Sequence, residues 1–445
     1  MSKVSIISLG CPRNQLDSEI MAGAIKKGGF RICGDLRDAD ICVINTCAFI
    51  QSAREESIER ILEAARLKKE GRLKQLVICG CLPQLYKAKL ADELREADLI
   101  IGTSDFPGLP GLLKRGMRRR RIVVSAVPDY LYDERSPRLT FTPPHYAYVK
   151  IAEGCSNFCS YCIISRLRGA FRSRSIKSVV EEVRRLSGDG KLKEIILIGQ
   201  DTTLFGIDRY GKAVFGELLR RICALKNSVE WIRILYTHPA HYNDELISVI
   251  RDEPRICKYL DLPIQHISDN ILKRMNRRVT HREITALIGK LRKNIPGLAL
   301  RTSVIAGFPG ETDKDFRELV AFMRDVKFER LGAFIYSKED RTKASRLDGQ
   351  VPEEVKQERF DIIMKTQQAV SRGINKKWLG KTIDVLIDEK IPAANNEFIG
   401  RSEFDAPEID GTVYLSGDDI KIGGIYKAGI KDTLEYDLVG EKVRG

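Results

Sequence analysis

The stretch Gly154–Cys162 reads GCSNFCSYC and places three cysteines, Cys155, Cys159 and Cys162, in one short loop with the spacing C-x3-C-x2-C. A structural zinc ion takes four ligands, yet the nearest histidine, His145, lies on the other side of the preceding strand candidate. A cubane iron–sulfur cluster has four irons and is bound by thiolates. Three cysteines would leave one of those irons open to a small molecule, so the stretch favours such a cluster. A zinc knuckle completed by a distant ligand is the alternative.

The cysteine loop follows the first of six apolar strand candidates between about residues 145 and 376. Amphipathic helix patterns separate them, for example over Ile176–Ser187 and Asp315–Val326. Six β–α units in series predict a partial (β/α)6 barrel, whose chemistry lies at the C-terminal ends of its strands. The strand candidates are AYVKIAE, EIILIG, WIRIL, KYLDLPI, LALRTSVIAG and LGAFIYS.

Residues 1–127 show a second alternation of strand and helix patterns, which predicts an α/β domain with a parallel sheet. Three further cysteines, Cys11, Cys47 and Cys81, each come just past a strand candidate. The carboxyl ends of strands in such a sheet border one crevice. These cysteines are therefore expected to converge there. Three thiolates without an obvious fourth ligand again predict a cluster with one open iron.

Free cysteines are also common as small buried core residues, which is the alternative interpretation for this second set. The same interpretation is preferred for the remaining five cysteines, Cys33, Cys42, Cys79, Cys223 and Cys257. Cys79 is the nearest rival of Cys81, but it lies within the strand candidate QLVICG rather than beyond it. Loop positions turn toward a ligand more freely than strand positions, which favours Cys81.

The rest of the chain reads as a linker and a small third domain. Residues 128–144 include three prolines in SPRLTFTPPHY, a composition typical of an extended connection. Residues 377–445 contain short alternating runs separated by Gly, Asp and Pro. Five such runs predict a small closed β-barrel of the OB-like kind.

Composition limits the possible partners and the compartment. The 445 residues include 11 cysteines and carry a net charge of +14. Residues 377–445 hold 9 Lys and Arg against 14 Asp and Glu, a net of −5, so a basic body carries an acidic end. No apolar run is long enough to span a membrane, and the N-terminus reads as a first strand rather than a signal peptide. These features predict a cytoplasmic protein, where cysteines serve metal or redox chemistry rather than disulfides.

The motif C-x3-C-x2-C after a first barrel strand resembles that of radical S-adenosylmethionine (SAM) enzymes. Along its whole length the chain resembles the methylthiotransferase family, which joins a three-cysteine domain, a radical SAM barrel and a C-terminal TRAM domain. The motifs are most similar to the branch that acts on a protein. One departure is IISRLRG at Ile163–Gly169, where a proline is expected near Ser165. The similar motifs are SLGCPRNQLDSE, VINTCAFI, PHYAYVKIAEGC, YLDLPIQH and FDAPEIDG.

The resemblance implies that polar and small residues at the barrel mouth bind SAM. Tyr161 is predicted to pack on adenine, with an ordinary core aromatic as the alternative. Gln200 and Asp201 end the second strand and are predicted to hold the SAM ammonium group, while Arg301 is a candidate partner for a carboxylate. Two glycines after the fifth strand allow close approach of a ligand, or simply form a strand-to-helix turn: Gly307 and Gly310.

The resemblance also implies two 4Fe–4S clusters and SAM as cofactors. The first cluster would generate a 5′-deoxyadenosyl radical, and the second would hold sulfur. The expected activity adds a methylthio group to the β-carbon of an aspartate in ribosomal protein S twelve, with flavodoxin or ferredoxin as electron donor. Hydrogen abstraction needs no acid–base pair, so no catalytic side chain is named.

Three other functions compete with this hypothesis. A tRNA methylthiotransferase acting on a modified adenosine fits the overall positive charge and the run Arg118–Arg121, although that run also suits a solvated turn. A radical SAM enzyme of other chemistry would use the second cluster only to relay electrons. A zinc-dependent RNA-binding protein would bind RNA without catalysing a reaction. The acidic end favours a basic ribosomal protein as the partner over tRNA.

Overall fold

The computed structural model describes residues 1–115, 120–392 and 396–443. It contains two six-stranded sheets and one closed five-stranded barrel. The predicted α/β class, with a partial (β/α)6 barrel between an N-terminal parallel sheet and a C-terminal β-barrel, is confirmed. Part of the predicted arginine run, Arg118 and Arg119, lies outside the described residues.

The first sheet is entirely parallel and belongs to the N-terminal part of the chain. Its strands are β1 (Lys3–Ser8), β2 (Arg31–Cys33), β3 (Ile41–Thr46), β4 (Gln75–Gly80), β5 (Leu99–Ile101) and β6 (Arg121–Val123). The helices are α1 (Pro12–Lys27), α2 (Gln51–Lys69), α3 (Cys81–Tyr86), α4 (Ala88–Glu93) and α5 (Leu109–Lys114). The strand order β2-β1-β3-β4-β5-β6 makes β1, β3 and β4 neighbours. The apolar runs of β3 and β4 are buried almost throughout, as a sheet covered on both faces requires.

The second sheet is also parallel and curves into the partial barrel. Its strands are β7 (Tyr146–Lys150), β10 (Glu194–Ile198), β11 (Trp231–Ile234), β12 (Ile256–Asp261), β13 (Ala299–Ala306) and β14 (Arg330–Ile335). A separate two-stranded pair, β8 (Ala152–Glu153) and β9 (Arg172–Ser173), brackets the cysteine loop. The helices are α6 (Ile164–Arg168), α7 (Ile176–Leu186), α8 (Ile207–Tyr210), α9 (Phe215–Cys223), α10 (Asp244–Asp252), α11 (Asp269–Arg274), α12 (His281–Asn294), α13 (Asp313–Val326) and α14 (Glu353–Asn375).

The C-terminal barrel closes in the order β15-β16-β17-β19-β18. Its strands are β15 (Thr382–Lys390), β16 (Glu397–Ser402), β17 (Val413–Ser416), β18 (Ile425–Thr433) and β19 (Leu438–Lys442). Alternate residues of these strands point inward and form their own small apolar core.

Buried ion pairs of both polarities join this last region to the central barrel: Arg401 of β16 pairs with a barrel carboxylate, and Asp405 pairs with a barrel arginine. Glu194 at the start of β10 contacts Arg233 and Arg401, and all three side chains are buried. Arg330 pairs with Asp405 in the same interface. The C-terminal region therefore uses part of its acidic charge on the basic barrel of the same chain, which weakens net charge as an argument about an external partner.

The segment predicted as a linker packs firmly against its neighbours. Arg138 is buried and pairs with Glu19 of α1 at 2.7 Å and with Glu182 of α7 at 2.8 Å. Tyr132 is also buried and donates its hydroxyl to Glu182. The segment thus ties the two parallel sheets together through buried, charge-assisted hydrogen bonds.

A second buried network joins the sheets closer to the cysteines. Lys150 of β7 donates to Asp17 of α1 at 2.6 Å and to Glu153 of β8 at 2.5 Å. Arg168 of α6 contacts the same two carboxylates. Burial raises the pKa of Glu153, but Lys150 and Arg168 outweigh it and lower that pKa to about 2.

Among the described residues, no helix has the length and apolar character needed to cross a membrane.

The buried network yields a stability prediction. Lys150→Met leaves two buried carboxylates facing one arginine, and breaking a buried pair in this way costs about 3–5 kcal/mol. Denaturant unfolding should show that loss of unfolding free energy. The control Lys290→Met removes an ion pair with Asp244 whose side chains are 47% and 82% exposed, and should cost about 1 kcal/mol or less. Equal costs for both variants would contradict the role given to the network.

Candidate metal and cofactor site

The loop carrying Cys155, Cys159 and Cys162 is fixed by backbone geometry and by contacts with the segment after α11. Gly154 has φ +79°, and a Cβ there would lie 2.1 Å from the carbonyl oxygen of Ala170. Only glycine fits this close approach. The amide of Ser160 donates to the Met275 carbonyl at 2.8 Å, and its hydroxyl donates to the Arg274 carbonyl at 2.7 Å. The three thiols are thus held at the C-terminal mouth of the barrel.

The second set of cysteines lies at the carboxyl ends of three neighbouring strands. Cys11 is the N-cap of α1, directly after β1, Cys47 follows β3, and Cys81 begins α3 directly after β4. A Cβ on Gly10, which has φ +89°, would lie 2.8 Å from the Cys47 sulfur. The parallel topology therefore brings three residues distant in sequence to one edge.

A polar frame holds this edge in place. Asn14 donates its side-chain amide to the carbonyls of Leu9 at 2.6 Å and Asn45 at 3.1 Å. Ser57 exchanges hydrogen bonds with the backbone of Cys47, at 3.1 Å from its amide and 3.0 Å from its carbonyl. The loops bearing the thiols are therefore ordered by the chain itself.

The structure distinguishes Cys79 from Cys81. The Cys79 thiol points into the strand layer, 3.4 Å from the Ile44 carbonyl and 3.7 Å from the Met21 sulfur. The Cys81 thiol lies at the edge, 3.6 Å from the guanidinium of Arg168. The position of Cys81 suits a ligand, whereas that of Cys79 suits a core residue.

Burial keeps most of these thiols in their neutral form. It raises the pKa of Cys155 to about 11 and the pKa of both Cys47 and Cys162 to about 12. Metal ligation requires the thiolate, so binding must displace protons from these sites.

Neither cysteine triad is as compact as the ligands of a single zinc ion. Sulfurs around a tetrahedral zinc lie about 3.8 Å apart. Within the part of the chain that the structure describes, only one set of three metal-ligating side chains has its ligand atoms within 4.8 Å of one another, and that set contains no cysteine. Both triads are wider, although the thiols of each still act on one another's pKa. Three thiols at this wider spacing are a donor set for iron–sulfur ligation.

The compact set joins Asp201, whose predicted contact with SAM stays a prediction, to His238 and His241, which the sequence analysis did not identify. Its polar atoms already bind each other and their surroundings: Asp201 lies 2.8 Å from the His241 ring nitrogen and accepts from Asn157 at 2.8 Å. Asn157 belongs to the cysteine loop, so Asp201 anchors that loop. The sequence signal for this set was the pair of histidines in THPAHY, which follows a strand.

Two arginines connect the triads. Arg13, in the first turn of α1, donates to the Gly199 carbonyl at the end of β10 at 3.4 Å. Its charge acts on thiols of both triads, lowering the pKa of Cys11, Cys47, Cys155 and Cys162 relative to burial alone. Arg168 reaches Cys81 from α6, the helix that follows the cysteine loop. Arg13 therefore lies within electrostatic reach of both cysteine sets.

The predicted SAM residues fall into two groups. Gln200 lies near the cysteine loop and donates its amide to Glu153, while its side-chain oxygen is buried without a partner. That oxygen is an available acceptor for an ammonium group. Tyr161 packs edge-on against Phe308 and receives a hydrogen bond from Arg277 at 3.3 Å.

The other predicted residues have close protein neighbours. Arg301 pairs with Asp261 at 2.8 Å and with Asp410 at 3.3 Å. A Cβ on Gly307 would meet Lys356, and one on Gly310 would meet Arg274. These glycines are explained by packing, and their contact with SAM stays a prediction, as does that of Arg301. The turn that follows is the capping box of α13.

Three segments of the chain match described families. Residues 149–323 match the radical SAM superfamily, residues 3–102 match the uncharacterized protein family UPF0004, and residues 379–443 match the TRAM domain. Fold and site together define a radical SAM enzyme with a cysteine-bearing N-terminal sheet and a TRAM barrel. Membership of this superfamily implies a 4Fe–4S cluster and SAM.

Full-length relatives narrow the class further. The chain is 47% identical over 443 residues to the ribosomal protein uS12 methylthiotransferase RimO of Geotalea uraniireducens, covering 99% of this chain and 98% of that protein. It is 45% identical over 441 residues to the RimO protein of Heliobacterium modesticaldum, covering 99% and 95%. The chain belongs to the RimO family.

Solved structures share the fold. The radical SAM methyltransferase TsrM of Kitasatospora setae, bound to cobalamin and a 4Fe–4S cluster, superposes with a TM-score of 0.56 at 16% identity, covering 77% of this chain and 74% of that one. The cobalamin-dependent radical enzyme OxsB gives a TM-score of 0.54 at 12% identity, covering 82% and 56%.

The close approach of Gly10 to Cys47 generates a prediction. Gly10→Ala should displace the second triad, because the new Cβ would overlap the Cys47 sulfur. Iron should be counted in a background where the three barrel cysteines are alanine, so that only the second site binds metal. We expect the bound iron to fall by more than half.

Gly29→Ala is the matched control, since Gly29 has φ +91° and open space around its missing Cβ. It carries the same backbone strain of about 1–3 kcal/mol without the overlap, and should keep its iron. Equal iron loss in both variants would mean that strain alone is responsible.

Proposed function

We propose that this protein is a radical SAM methylthiotransferase that modifies the β-carbon of an aspartate in ribosomal protein uS12. The single observation that carries the proposal is that two cysteine triads, each without a fourth cysteine, lie at the carboxyl ends of two parallel sheets with Arg13 near both. The substrate itself is proposed from the full-length relatives, which are named for that protein.

Two 4Fe–4S clusters are part of the proposal. Cys155, Cys159 and Cys162 would hold one of them, and a second triad would hold the other: Cys11, Cys47 and Cys81. When bound, the clusters and SAM supply the radical and the sulfur. The chain's own part is to fix six thiols, to place Gln200 beside the SAM ammonium group, and to close the space from bulk water.

Buried side chains hold the two sets at a fixed separation. Arg13 of α1 contacts the barrel at Gly199, and Arg168 of α6 contacts Cys81 of the first sheet. The ion pair of Lys150 with Asp17 also joins the two domains. A carbon to be functionalised must lie within reach of both sets at once. Rigid positioning is therefore the protein's main catalytic contribution.

Partners and organisation follow from the same proposal. A flavodoxin or ferredoxin is the proposed electron donor, and the cytoplasm is the proposed location. The proposed domains are residues 1–127, 145–376 and 377–445, joined by 128–144, and the three matched family segments fall inside these limits.

Mass spectrometry of uS12 and of tRNA, after anaerobic incubation with the reconstituted enzyme, SAM and a reductant, tests the proposal. A methylthio adduct is expected on uS12. An adduct on tRNA alone would instead support the second candidate, a tRNA methylthiotransferase, and would overturn the proposed substrate.

Cluster counting tests the two-site arrangement separately. The wild-type protein should bind about eight irons and the triple variant C11A/C47A/C81A about four. That variant should still cleave SAM but form no adduct. Cys79→Ala is the matched control and should keep both its iron and its activity. A triple variant that still modifies uS12 would exclude the second triad as the sulfur site.

A further inference from the structure

Arg13 is a half-buried cation that no carboxylate of the described residues neutralises. Among the described residues its guanidinium contacts the Gly199 carbonyl, the Cys11 thiol and the ring face of Tyr236, and it makes no ion pair. An arginine carries five donors in a planar fork that matches a carboxylate. Most of this capacity is unused.

Two other arginines near the cysteines are already paired with carboxylates. Arg168 contacts the carboxylates of Asp17 and Glu153. Arg301 contacts those of Asp261 and Asp410. Among the described residues Arg277 makes no ion pair either, but it donates to the Pro263 carbonyl and the Tyr161 hydroxyl and contacts the Cys159 thiol of the barrel triad alone. Arg13 is thus the cation placed between the two triads with capacity for an anionic ligand.

The backbone beneath Arg13 is strained in a way that positions it. Tyr236, just past β11, has φ +58°, a conformation that a non-glycine residue adopts at a cost of about 1–3 kcal/mol. Its amide is held by Asp261 at 2.9 Å and its carbonyl by Thr202 at 2.9 Å. This conformation brings the ring 4.5 Å from the Arg13 guanidinium. The stacked ring limits the directions in which the fork can point.

We propose that Arg13 binds the side-chain carboxylate of the substrate aspartate and so determines specificity for an acidic side chain. The β-carbon of aspartate is bonded directly to its carboxyl carbon. A carboxylate held by Arg13 therefore leaves the reacting carbon one bond away, between the two triads. A buried carboxylate needs such a partner, because an unpaired charge in a closed site is strongly disfavoured. This inference rests on the proposed function.

The test is a binding cycle with the reconstituted enzyme. Wild-type and Arg13→Gln proteins are titrated with uS12 and with uS12 in which asparagine replaces the target aspartate. Arg13→Gln should weaken binding of the aspartate form about tenfold to a hundredfold, as expected for a charge-assisted pair, and should leave the asparagine form nearly unchanged. Arg282→Gln, at an exposed position of α12, should alter neither.

Additional readouts separate recognition from structural damage. Iron content and SAM cleavage without substrate are measured for Arg13→Gln first, because Arg13 also lies beside the Cys11 thiol. If this variant binds less iron, Arg13→Lys takes its place: it keeps the charge but lacks the fork, and should reduce the preference for aspartate over asparagine only in part. Equal weakening of both uS12 forms, or an unchanged preference in the variant, would overturn the inference.

The outcome also distinguishes this inference from the proposed function. If the wild-type enzyme forms no adduct on uS12, the proposed function fails whatever Arg13 does. If it forms the adduct and Arg13→Gln binds and modifies uS12 as the wild type does, only the role of Arg13 is wrong.

Discussion

The site depends on the parallel direction of the strands in both large sheets. Parallel strands bring their carboxyl ends to one edge, so residues separated by tens of positions in sequence meet there without any contact between their own segments. In the first sheet this constraint collects Cys11, Cys47 and Cys81. In the second it places one cysteine loop at the barrel mouth. Buried ion pairs of Arg138 with Glu19 and of Lys150 with Asp17 then hold the first sheet against the barrel.

Charge inside the molecule is arranged around thiols that are neutral without metal. Burial raises the pKa of Cys47 and Cys162 to about 12, whereas Arg13 outweighs burial at Cys11 and holds its pKa below the usual value. Cations next to the thiols favour the thiolates that ligate iron. The same cations are oriented by buried carboxylates and carbonyls, so the protein itself supplies the charge pattern that a loaded site needs.

Much of the architecture was readable from sequence because it follows from local pattern. The three-region organisation and both parallel sheets came from the alternation of apolar strands and amphipathic helices. The sequence predicted that Cys79 lies within a strand and Cys81 just past it, and the structure has both cysteines in these positions. The small third barrel followed from its short alternating runs.

Contacts over long sequence distances were not readable in this way. Nothing local marks Arg13 or Arg168 as the links between two sites, since their partners lie 186 and 151 residues away. The segment expected to be a linker is anchored by the buried side chain of Arg138, which meets Glu19 and Glu182 of distant helices. Gly307 and Gly310 were predicted to let a ligand approach closely or to form a turn, and the sequence did not show that Lys356 and Arg274 pack against them.

The central claim is that two iron clusters, each held by three cysteines, lie on either side of Arg13. Iron anomalous diffraction from a crystal of the anaerobically reconstituted protein tests it most directly. Two separate iron peaks are predicted, one against Cys155, Cys159 and Cys162 and the other at the carboxyl edge of the first sheet. A single iron peak at the barrel mouth, or zinc at either cysteine set, would contradict the account.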